Sequence, residues 1–510
     1  MKIFILPFLL LLSFGLLHAQ CPQGSVHLSS QFEVDTFGAN WPNCETIAGD
    51  LHLGKYSQLA NIDNLLAMSN IRRVEGSLYI RSNFFLENLH GLENLQFIGK
   101  HFNISENQRL VSLEGLDQLE FIGDSLAIIE NMELQSLSGL NQLDTIRGTL
   151  GIRDNNSLVN LEGLNNLRFV ENHLGIYQCE ALLNLNGLNN LSAIGGFLTI
   201  YGAYQLSDLS GLGQLDTIHG GFNILNTDDL VSLAGLESLK YTRNFRLSGN
   251  YALKSLTGLD QLTVRDMISI EYNPDLEDIS GVKLFDGFKG NLTIYRSALE
   301  NLEPLSGIDS IATIEIGFNH KLTSLTGLEN LKYAEIMWIF GNELLPNLNG
   351  LNGLEIVDGN LHIVDNPLLT SLSGLENLAR IDSGLWIEHN ELLSDLSALD
   401  HSIAFNGEIL TIRKNNSLSN CAVEALCNWI SRPDAIDILI INENNAGCKY
   451  VWEIEEACFN SGLEAPYVLF WPNPFYGQLD VFVNIPYEEA NIRILDVSGR
   501  LLVQDVFIRN

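Results

Sequence analysis

L-E-N-L-H-G-L-E-N-L-Q-F-I-G-K-H-F-N-I-S-E-N, residues 86–107, is one turn of a repeat that decides the fold. Its Gly-Leu pair recurs every 24 residues, at Gly91, Gly115, Gly139, Gly163, Gly187, Gly211 and Gly235. A fixed period of about 20–30 residues, rich in Leu and Asn, is typical of a solenoid in which each turn is sheltered by its neighbours.

Two apolar patterns alternate within each turn. Phe102 and Ile104 flank a polar residue, as in a short strand buried on one face. The rest of the turn carries Leu or Ile at every third position, which favours a 3₁₀-like or extended wall over a regular helix. The sequence therefore predicts a mainly β solenoid with sixteen turns, whose strands begin at Leu51, Leu78, Phe102, Leu126, Leu150, Leu174, Leu198, Phe222, Phe245, Ile268, Leu292, Ile314, Met337, Leu361, Leu385 and Leu410.

An Asn stands three residues after the strand Ile in most turns. A buried Asn at a turn can bond backbone groups within and between coils, so we expect a structural Asn column. Cys179, Ala203, Thr227 and Ser297 fill this slot elsewhere, and we interpret Cys179 as an inert, inward-facing residue rather than a catalytic thiol. The column comprises Asn83, Asn107, Asn131, Asn155, Asn250, Asn273, Asn319, Asn342, Asn366, Asn390 and Asn415.

Over residues 47–420 these motifs resemble the receptor L-domain repeats. The matching phrases are G-D-L-H-L-G at 49–54, N-L-x-x-I-G-x-x-L-x-I and L-x-S-L-x-G-L. The resemblance implies a right-handed leucine-rich solenoid, a single rod with one strand per coil in a parallel sheet and the Asn column at its edge. It also implies recognition, because the family includes receptor ectodomains and bacterial surface proteins. The register is least regular between Gly258 and Gly327, a candidate boundary between two L-type units.

The N-terminus predicts export. Lys2 precedes an apolar run too short to span a bilayer, and cleavage after Ala19 would remove a signal peptide of residues 1–19. Cys21 raises a lipoprotein alternative, which His18 and Gln20 disfavour. Every later Leu-rich stretch is broken by polar residues, so we expect no transmembrane segment. The mature protein would be at the cell surface or extracellular.

The charge balance restricts the partners. There are 62 acidic and 28 basic residues, a formal net charge of −34. Such a field repels phosphate backbones and anionic headgroups, which disfavours nucleic acid. It serves solubility or attracts divalent cations and cationic partners; both interpretations stay open.

Six cysteines lie outside the repeats, as expected for disulfides that brace the open ends of a solenoid. Residues 20–46 form a predicted N-terminal cap. Residues 421–460 form a predicted C-terminal cap with short helices at 421–430 and 448–458 and a strand at 436–441. Spacing and the lack of a nearby His disfavour a metal cluster, and the four C-terminal cysteines leave three pairings open. The disulfide candidates are Cys21, Cys44, Cys421, Cys427, Cys448 and Cys458.

A linker at 461–466 precedes a tail of different character at 467–510. P-N-P-F at 472–475 and D-V-S-G-R at 496–500 resemble the C-terminal sorting domain of the type IX secretion system. The resemblance implies a β-sandwich, export through a Bacteroidota-type outer membrane by that machinery, and removal or lipopolysaccharide anchoring. The family continues beyond the position of Asn510, so the tail matches a partial domain, from a truncated chain or a defective signal.

Catalytic motifs are absent, with no G-x-S-x-G, H-E-x-x-H, Walker or Rossmann pattern, which predicts a non-enzyme without cofactor or metal. Glu388 and Arg413, on neighbouring coils, favour a surface ion pair over an acid–base couple.

Aromatic residues provide the candidate ligand-binding positions. Trp338, His362 and Trp386 share one outward strand slot on successive coils, with Phe340 beside them. Tyr177 and Tyr201 share another slot. Rings on a rigid sheet can anchor a sugar or a protein partner; the alternative is ordinary cross-strand stacking.

Three functions follow from these features. The first is non-enzymatic recognition or adhesion, with an extracellular protein or glycan bound on the sheet face. The second is a structural or adhesive spacer, and the third, less favoured, is an enzyme acting on extracellular polysaccharide.

Overall fold

The structure is a computed structural model that describes residues 21–55, 60–284, 287–431 and 438–461, together with the backbone of four strands between 468 and 509. The chain divides into two compact units, Met1–Gly195 and Gly196–Asn510. The irregular stretch between Gly258 and Gly327 lies inside the second unit.

In the first unit, each coil contributes one main strand and one two-residue strand to a parallel sheet. The register advances by one coil, so that Leu78 pairs with Phe102 and Phe102 pairs with Leu126. A 3₁₀ turn at Leu66–Met68 and helix α1 at Gln31–Asn40 complete the unit. The main strands are Val26–Leu28, Leu51–Gly54, Leu78–Arg81, Phe102–Ser105, Leu126–Ile129, Leu150–Arg153 and Leu174–Tyr177, and two-residue strands stand at Thr46–Ile47, Arg73–Val74, Phe97–Ile98, Phe121–Ile122, Thr145–Ile146, Phe169–Val170 and Ala193–Ile194.

The second unit repeats this design, with several short strands merged into the main ones. Its sheet is also parallel, as in the pairing of Met337 with Leu361. The main strands are Leu198–Tyr201, Thr217–Leu225, Tyr241–Ser248, Thr263–Asn273, Asn291–Ser297, Ser310–Gly317, Tyr333–Phe340, Asn360–Val364, Gly384–Glu388, Ile409–Arg413 and Ile438–Asn442. Short strands stand at Lys283–Leu284, Ile356–Val357, Arg380–Ile381 and Ala404–Phe405, 3₁₀ turns at Ser210–Leu212, Glu303–Leu305 and Ser397–Leu399, and helices at Glu424–Ile430 (α2) and Val451–Asn460 (α3).

The predicted mainly β, parallel solenoid of about sixteen turns is confirmed. All sixteen predicted strands form, and their alternating aliphatics, such as Leu126 and Ile128, are fully buried. The Leu wall is a succession of tight turns: the Leu116 N–H donates to Leu113 O at 3.3 Å, and the Leu119 N–H donates to Leu116 O at 2.9 Å. Each fully buried Leu contributes roughly 1.5–3 kcal/mol.

The glycine of the repeated Gly-Leu pair meets two requirements at once. Gly115 has φ +108°, and a Cβ there would lie 2.2 Å from Leu89 O of the preceding coil. Positive φ and close approach of the coils are thus both present at this glycine.

The Asn side chains form a buried hydrogen-bonded ladder. Asn107 Oδ1 accepts the backbone N–H of Asn83 at 3.2 Å, and Asn107 Nδ2 donates to Ile80 O at 2.9 Å. The same bonds recur along the second unit, where Asn444 extends the column by one coil: Asn415 N–H donates to Asn444 Oδ1 at 3.0 Å. The ladder thus satisfies backbone groups that a corner would otherwise bury without partners.

Disulfides brace both ends, as predicted. Cys21 pairs with Cys44 beside α1. α1 begins at an arrangement similar to a capping box: the Oγ of the N-cap residue Ser30 accepts the Glu33 N–H at 3.3 Å, and the Glu33 carboxylate accepts the N–H of the preceding residue, Ser29, at 2.5 Å. Cys427–Cys458 joins α2 to α3, and Cys421–Cys448 joins the segments that precede these two helices, which selects one of the three possible pairings.

The irregular coils of the second unit open a surface cleft of about 660 Å³. It lies at the 3₁₀ turn that contains Pro304, and Glu277, Glu300 and Glu303 are among its lining residues. The Glu277 carboxylate is bridged by Lys321 Nζ at 2.6 Å.

In the tail, Val468–Trp471 pairs antiparallel with Asp480–Val483, and Glu489–Leu495 pairs antiparallel with Leu501–Arg509. The signal peptide and the motifs at 472–475 and 496–500 lie outside the described residues, so the sorting domain and its β-sandwich stay predictions. Among the described residues, no helix has the length and apolar character needed to cross a membrane.

Candidate aromatic binding face

The parallel register brings Trp338, His362 and Trp386 into direct contact. They are paired positions on three neighbouring strands. The His362 ring stacks on Trp338 with centroids 4.0 Å apart and an interplanar angle of 24°, and on Trp386 at 4.1 Å and 10°. The stack is the cross-strand packing that the sequence offered as an alternative to a binding surface.

Stacking leaves the three rings with unequal exposure. His362 is only 9% exposed, because an indole covers each of its faces, whereas Trp338 is 39% exposed. The Trp386 ring rests on Gly384, where a Cβ would lie 2.4 Å from Cζ3. Trp338 is therefore the member of the stack most available to a ligand.

The imidazole between the indoles is a neutral spacer. Its Nε2 is buried and has no hydrogen-bond partner among the described residues. Burial lowers the pKa of His362 to about 4, so the ring is uncharged at neutral pH. A charged group does not occupy the centre of this stack.

A second group of rings continues from Trp338. Phe340 meets Trp338 edge-on at 6.2 Å, and Phe318 meets Phe340 edge-on at 5.4 Å. Tyr295 lies 5.3 Å from Phe318 and 5.1 Å from Tyr272. These contacts are tilted or T-shaped, with angles of 57° to 88°, so the rings present both edges and faces outward.

The seven rings form what we call the aromatic face. It crosses six successive coils of the second unit, from the strand Thr263–Asn273 to the strand Gly384–Glu388. Five gaps at the inter-strand spacing of about 4.8 Å give a length of roughly 24 Å. Its members are Tyr272, Tyr295, Phe318, Trp338, Phe340, His362 and Trp386.

Tyr272 and Phe318 occupy an unusual backbone position. Every non-glycine residue with positive φ in the described chain immediately precedes the Asn-column slot, including Tyr272 at φ 55° and Phe318 at φ 52°. A bulky residue there is strained by roughly 1–2 kcal/mol. Other coils fill the slot with glycine, as at Gly341, or with polar residues. The fold does not require rings at this position, yet these two are 42% and 41% exposed.

Arg296 holds the same strained slot between Tyr272 and Phe318. Its guanidinium carbon lies 5.2, 5.5 and 5.6 Å from the centroids of Tyr272, Tyr295 and Phe318, within the range of cation–π attraction. Hydrogen bonding to Tyr295 also raises the pKa of Tyr272. The exposed end of the face therefore combines phenol hydroxyls, one cation and ring surfaces.

Sequence reasoning named Trp338, Phe340, His362 and Trp386 but missed Tyr272, Tyr295 and Phe318. These three rings could have been found in part from the position before the Asn slot. Glycine recurs there in several coils, which indicates a left-handed backbone position where a bulky residue is unusual. Tyr177 ends a strand of the first unit, with its ring over Gly175, and Tyr201 ends a strand of the second. Both are half-buried, and neither belongs to the aromatic face.

The first unit has a ring stack in the same strand slot, which sequence reasoning also missed. The rings of His27 and His52 lie 4.2 Å apart, and those of His52 and Tyr79 lie 4.5 Å apart, both pairs at 18°. Val26-His27-Leu28 has the alternation of a main strand, but it precedes the first predicted coil, so the repeat pattern does not include it.

The remaining candidate positions have structural roles. Arg413 Nη2 lies 3.1 Å from Glu388 Oε2, an ion pair in which Glu388 is 9% exposed. Cys179 is buried, and burial raises the pKa of its thiol to about 11, so it stays protonated. Within the described ranges, no group of three or more His, Cys, Asp or Glu side chains could hold a metal.

Comparisons with known proteins give a family match over part of the chain. A family model described as Receptor L domain matches residues 43–114. A solved structure titled "Crystal structure of TLR13-ssRNA13 complex" is similar at 14% identity, covering 82% of this chain and 78% of that chain, with a TM-score of 0.23, which carries no argument about ligands. The search of curated proteins found no match. The family match and the coils together describe an L-domain-like, leucine-rich-repeat-like scaffold, a type of fold that is generally non-enzymatic.

Proposed function

We propose that this protein is a non-enzymatic recognition or adhesion protein, secreted or at the cell surface, that binds an extracellular protein or glycan through its aromatic face. One observation carries the proposal: Tyr272 and Phe318 are about 40% exposed at left-handed positions that other coils fill with glycine or polar residues. Strain retained where the fold does not need it is a mark of functional sites.

Composition and size support the proposal. Trp, Tyr and Arg are the residues that most often dominate binding energy, and the face offers Trp and Tyr on a rigid sheet with Arg296 beside them. Its length of roughly 24 Å suits a standard interface of about 800 Å² per partner. Three disulfides fit an extracellular protein.

The experiment is a glycan array together with affinity capture from the native environment, using the full chain. Trp338→Ala is expected to lower the affinity for the ligand identified in this way by at least about tenfold, while the melting temperature stays nearly unchanged. Tyr251→Ala is the matched control, because Tyr251 is a 53%-exposed ring outside the face.

Two other outcomes would redirect the proposal. Indifference of every binding partner to Trp338→Ala favours the structural or adhesive spacer. Turnover of any glycan by the purified protein would make it a polysaccharide-acting enzyme.

For export, we propose the signal peptide and the type IX secretion machinery, on the strength of the sequence motifs at the two ends. Detection of the protein on the cell surface, and its loss when residues 467–510 are deleted, would test this route.

A further inference from the structure

The first unit carries a groove that is separate from the aromatic face. Its main strands place His27, His52 and Tyr79 in register, and the stacked rings line a cavity of about 420 Å³. Gly54, Lys55 and Arg81 also line it. Gly54 allows the backbones of two neighbouring coils to approach closely beside the cavity, because a Cβ there would lie 1.8 Å from Arg81 O.

The charge of this groove is opposite to that of the protein. Lys55 and Arg81 are cationic side chains, and none of the described residues that line the cavity is a carboxylate, although the chain has 62 acidic and 28 basic residues. Arg81 is held in place: its guanidinium carbon lies 4.4 Å from the Tyr79 ring centroid, and its Nε donates to Asn103 Oδ1 at 2.6 Å. The positive charge is therefore preorganised.

A second cavity of about 520 Å³ continues from the first and shares Lys55 and Arg81. Its two carboxylates are already engaged. Ser82 Oγ donates to Glu106 at 2.9 Å, and Arg153 Nη2 lies 3.2 Å from Glu130. The remaining lining includes Asn103 and Ser105. Because Ser105 Oγ donates to Asn103 Oδ1 at 2.9 Å, the groups that suit a hydroxylated ligand are the Asn103 amide N–H and the Ser105 oxygen.

We propose that this groove binds an acidic saccharide, with a carboxylate or sulfate group at Lys55 and Arg81 and the sugar hydroxyls at Tyr79, Asn103 and Ser105. The two joined cavities run across several coils, which suits an extended chain rather than a single small anion. The net charge of −34 opposes every polyanion, and most strongly one with closely spaced charges such as a polyphosphate, which also lacks the hydroxyl groups that Asn103 and Ser105 suit. An acidic peptide would gain few apolar contacts here, since Leu53 and Ile129 are the aliphatic lining residues.

The test measures binding of oligogalacturonate to the full chain by calorimetry, beside the methyl-esterified oligosaccharide, a sulfated oligosaccharide and polyglutamate. The free acid is expected to bind with salt-dependent affinity, and the methyl ester at least about tenfold more weakly, because esterification removes the charge of each carboxyl group and leaves the sugar hydroxyls in place. Lys55→Gln/Arg81→Gln is expected to abolish the difference between acid and ester. Arg243→Gln, which removes a cation paired with Asp266 in the second unit, should leave it unchanged.

Several results would overturn the proposal. They are equal affinity for acid and ester, unaltered binding by a Lys55→Gln/Arg81→Gln protein that melts like the wild type, absence of binding to every saccharide, or a preference for polyglutamate. Arg81→Lys keeps the charge and is expected to retain part of the affinity, which guards against a misfolded double variant. Phe318→Ala should have no effect, so failure here is distinguishable from failure of the aromatic-face proposal.

Discussion

The two ring stacks occupy the same strand slot in different surroundings. His27, His52 and Tyr79 stand at the start of the first unit in an open, cationic groove, whereas Trp338, His362 and Trp386 adjoin four more rings in the second. Ring spacing is nearly the same, at 4.0 to 4.5 Å, because both stacks follow the inter-strand distance of a parallel sheet. The coil sets the spacing, and the neighbouring side chains decide what each stack can bind.

The largest expected difference between the two regions lies in the Asn ladder. Asn366 Oδ1 accepts the Asn342 N–H at 3.1 Å and its Nδ2 donates to Ile339 O at 3.0 Å. Asn83 Nδ2 donates to Leu53 O at 3.0 Å, but its Oδ1 has no partner in the described chain. Asn366→Ala should therefore lower the free energy of unfolding by about 3 kcal/mol and Asn83→Ala by about half of that.

Denaturant unfolding, together with hydrogen exchange of the strands on either side, measures both losses. Equal losses would show that the ladder is not cooperative along the column.

The stacked imidazoles His362 and His52 predict a pH effect of the same sign in both stacks. The unfolded chain protonates His362 near its ordinary pKa of about 6.5, whereas the folded pKa is about 4. The native state is therefore penalised as the pH falls from above 6.5 through 4, by at most about 3 kcal/mol. Burial and the proximity of His27 also lower the pKa of His52, so its effect has the same direction and should be smaller in the open groove.

The check compares the pH dependence of unfolding in the wild type, His362→Phe and His52→Phe. The phenylalanine variants should lose less stability on acidification. An unchanged slope for His362→Phe would mean that the stack opens and hydrates the imidazole.

Gly384 tests whether the position of the Trp386 ring depends on the backbone beneath it. A Cβ at Gly384 would displace the Trp386 ring, so Gly384→Ala should cost about 1–2 kcal/mol and alter tryptophan fluorescence. Gly151 is the control, since nothing lies within 4 Å of a Cβ at that strand position in the first unit. A neutral Gly384→Ala would show that Trp386 has room to move.

The smallest expected effect on stability comes from Arg296. Its cation–π contacts are exposed, so Arg296→Gln should change the free energy of unfolding by only about 0.5 kcal/mol. If Arg296 contributes to ligand binding, the same substitution lowers the free energy of binding to the ligand found by array or capture more than it lowers the free energy of unfolding. Titration and scanning calorimetry of the wild type and of Arg296→Gln measure the change in binding and the change in stability.

The periodic features of this fold were predictable because each depends on a residue type repeated in every coil. Alternating aliphatics predicted the strands, and Leu at every third residue predicted the wall of turns. The end cysteines predicted the disulfides, although their pairing needed coordinates.

The face was only partly predictable, because spacing locates a column without giving the orientation of its side chains. The sequence put Trp338, His362 and Trp386 in one slot but could not show that His362 would be enclosed. Tyr272 and Phe318 lie one residue outside the strand pattern, at a left-handed position defined by backbone geometry rather than hydrophobic period. Long-range register, not local propensity, brings them beside Phe340 and Tyr295.

The most direct measurement of the central claim is the ligand affinity and melting temperature of Phe318→Gly. Glycine relieves the left-handed strain at φ 52°, so the account predicts an equal or higher melting temperature with at least about tenfold weaker binding. Lys414→Gly, at φ 56° in the same slot outside the face, should share the thermal effect and keep full affinity. Unchanged affinity in Phe318→Gly, or a marked fall in its melting temperature, would contradict the claim that these rings serve a ligand rather than the fold.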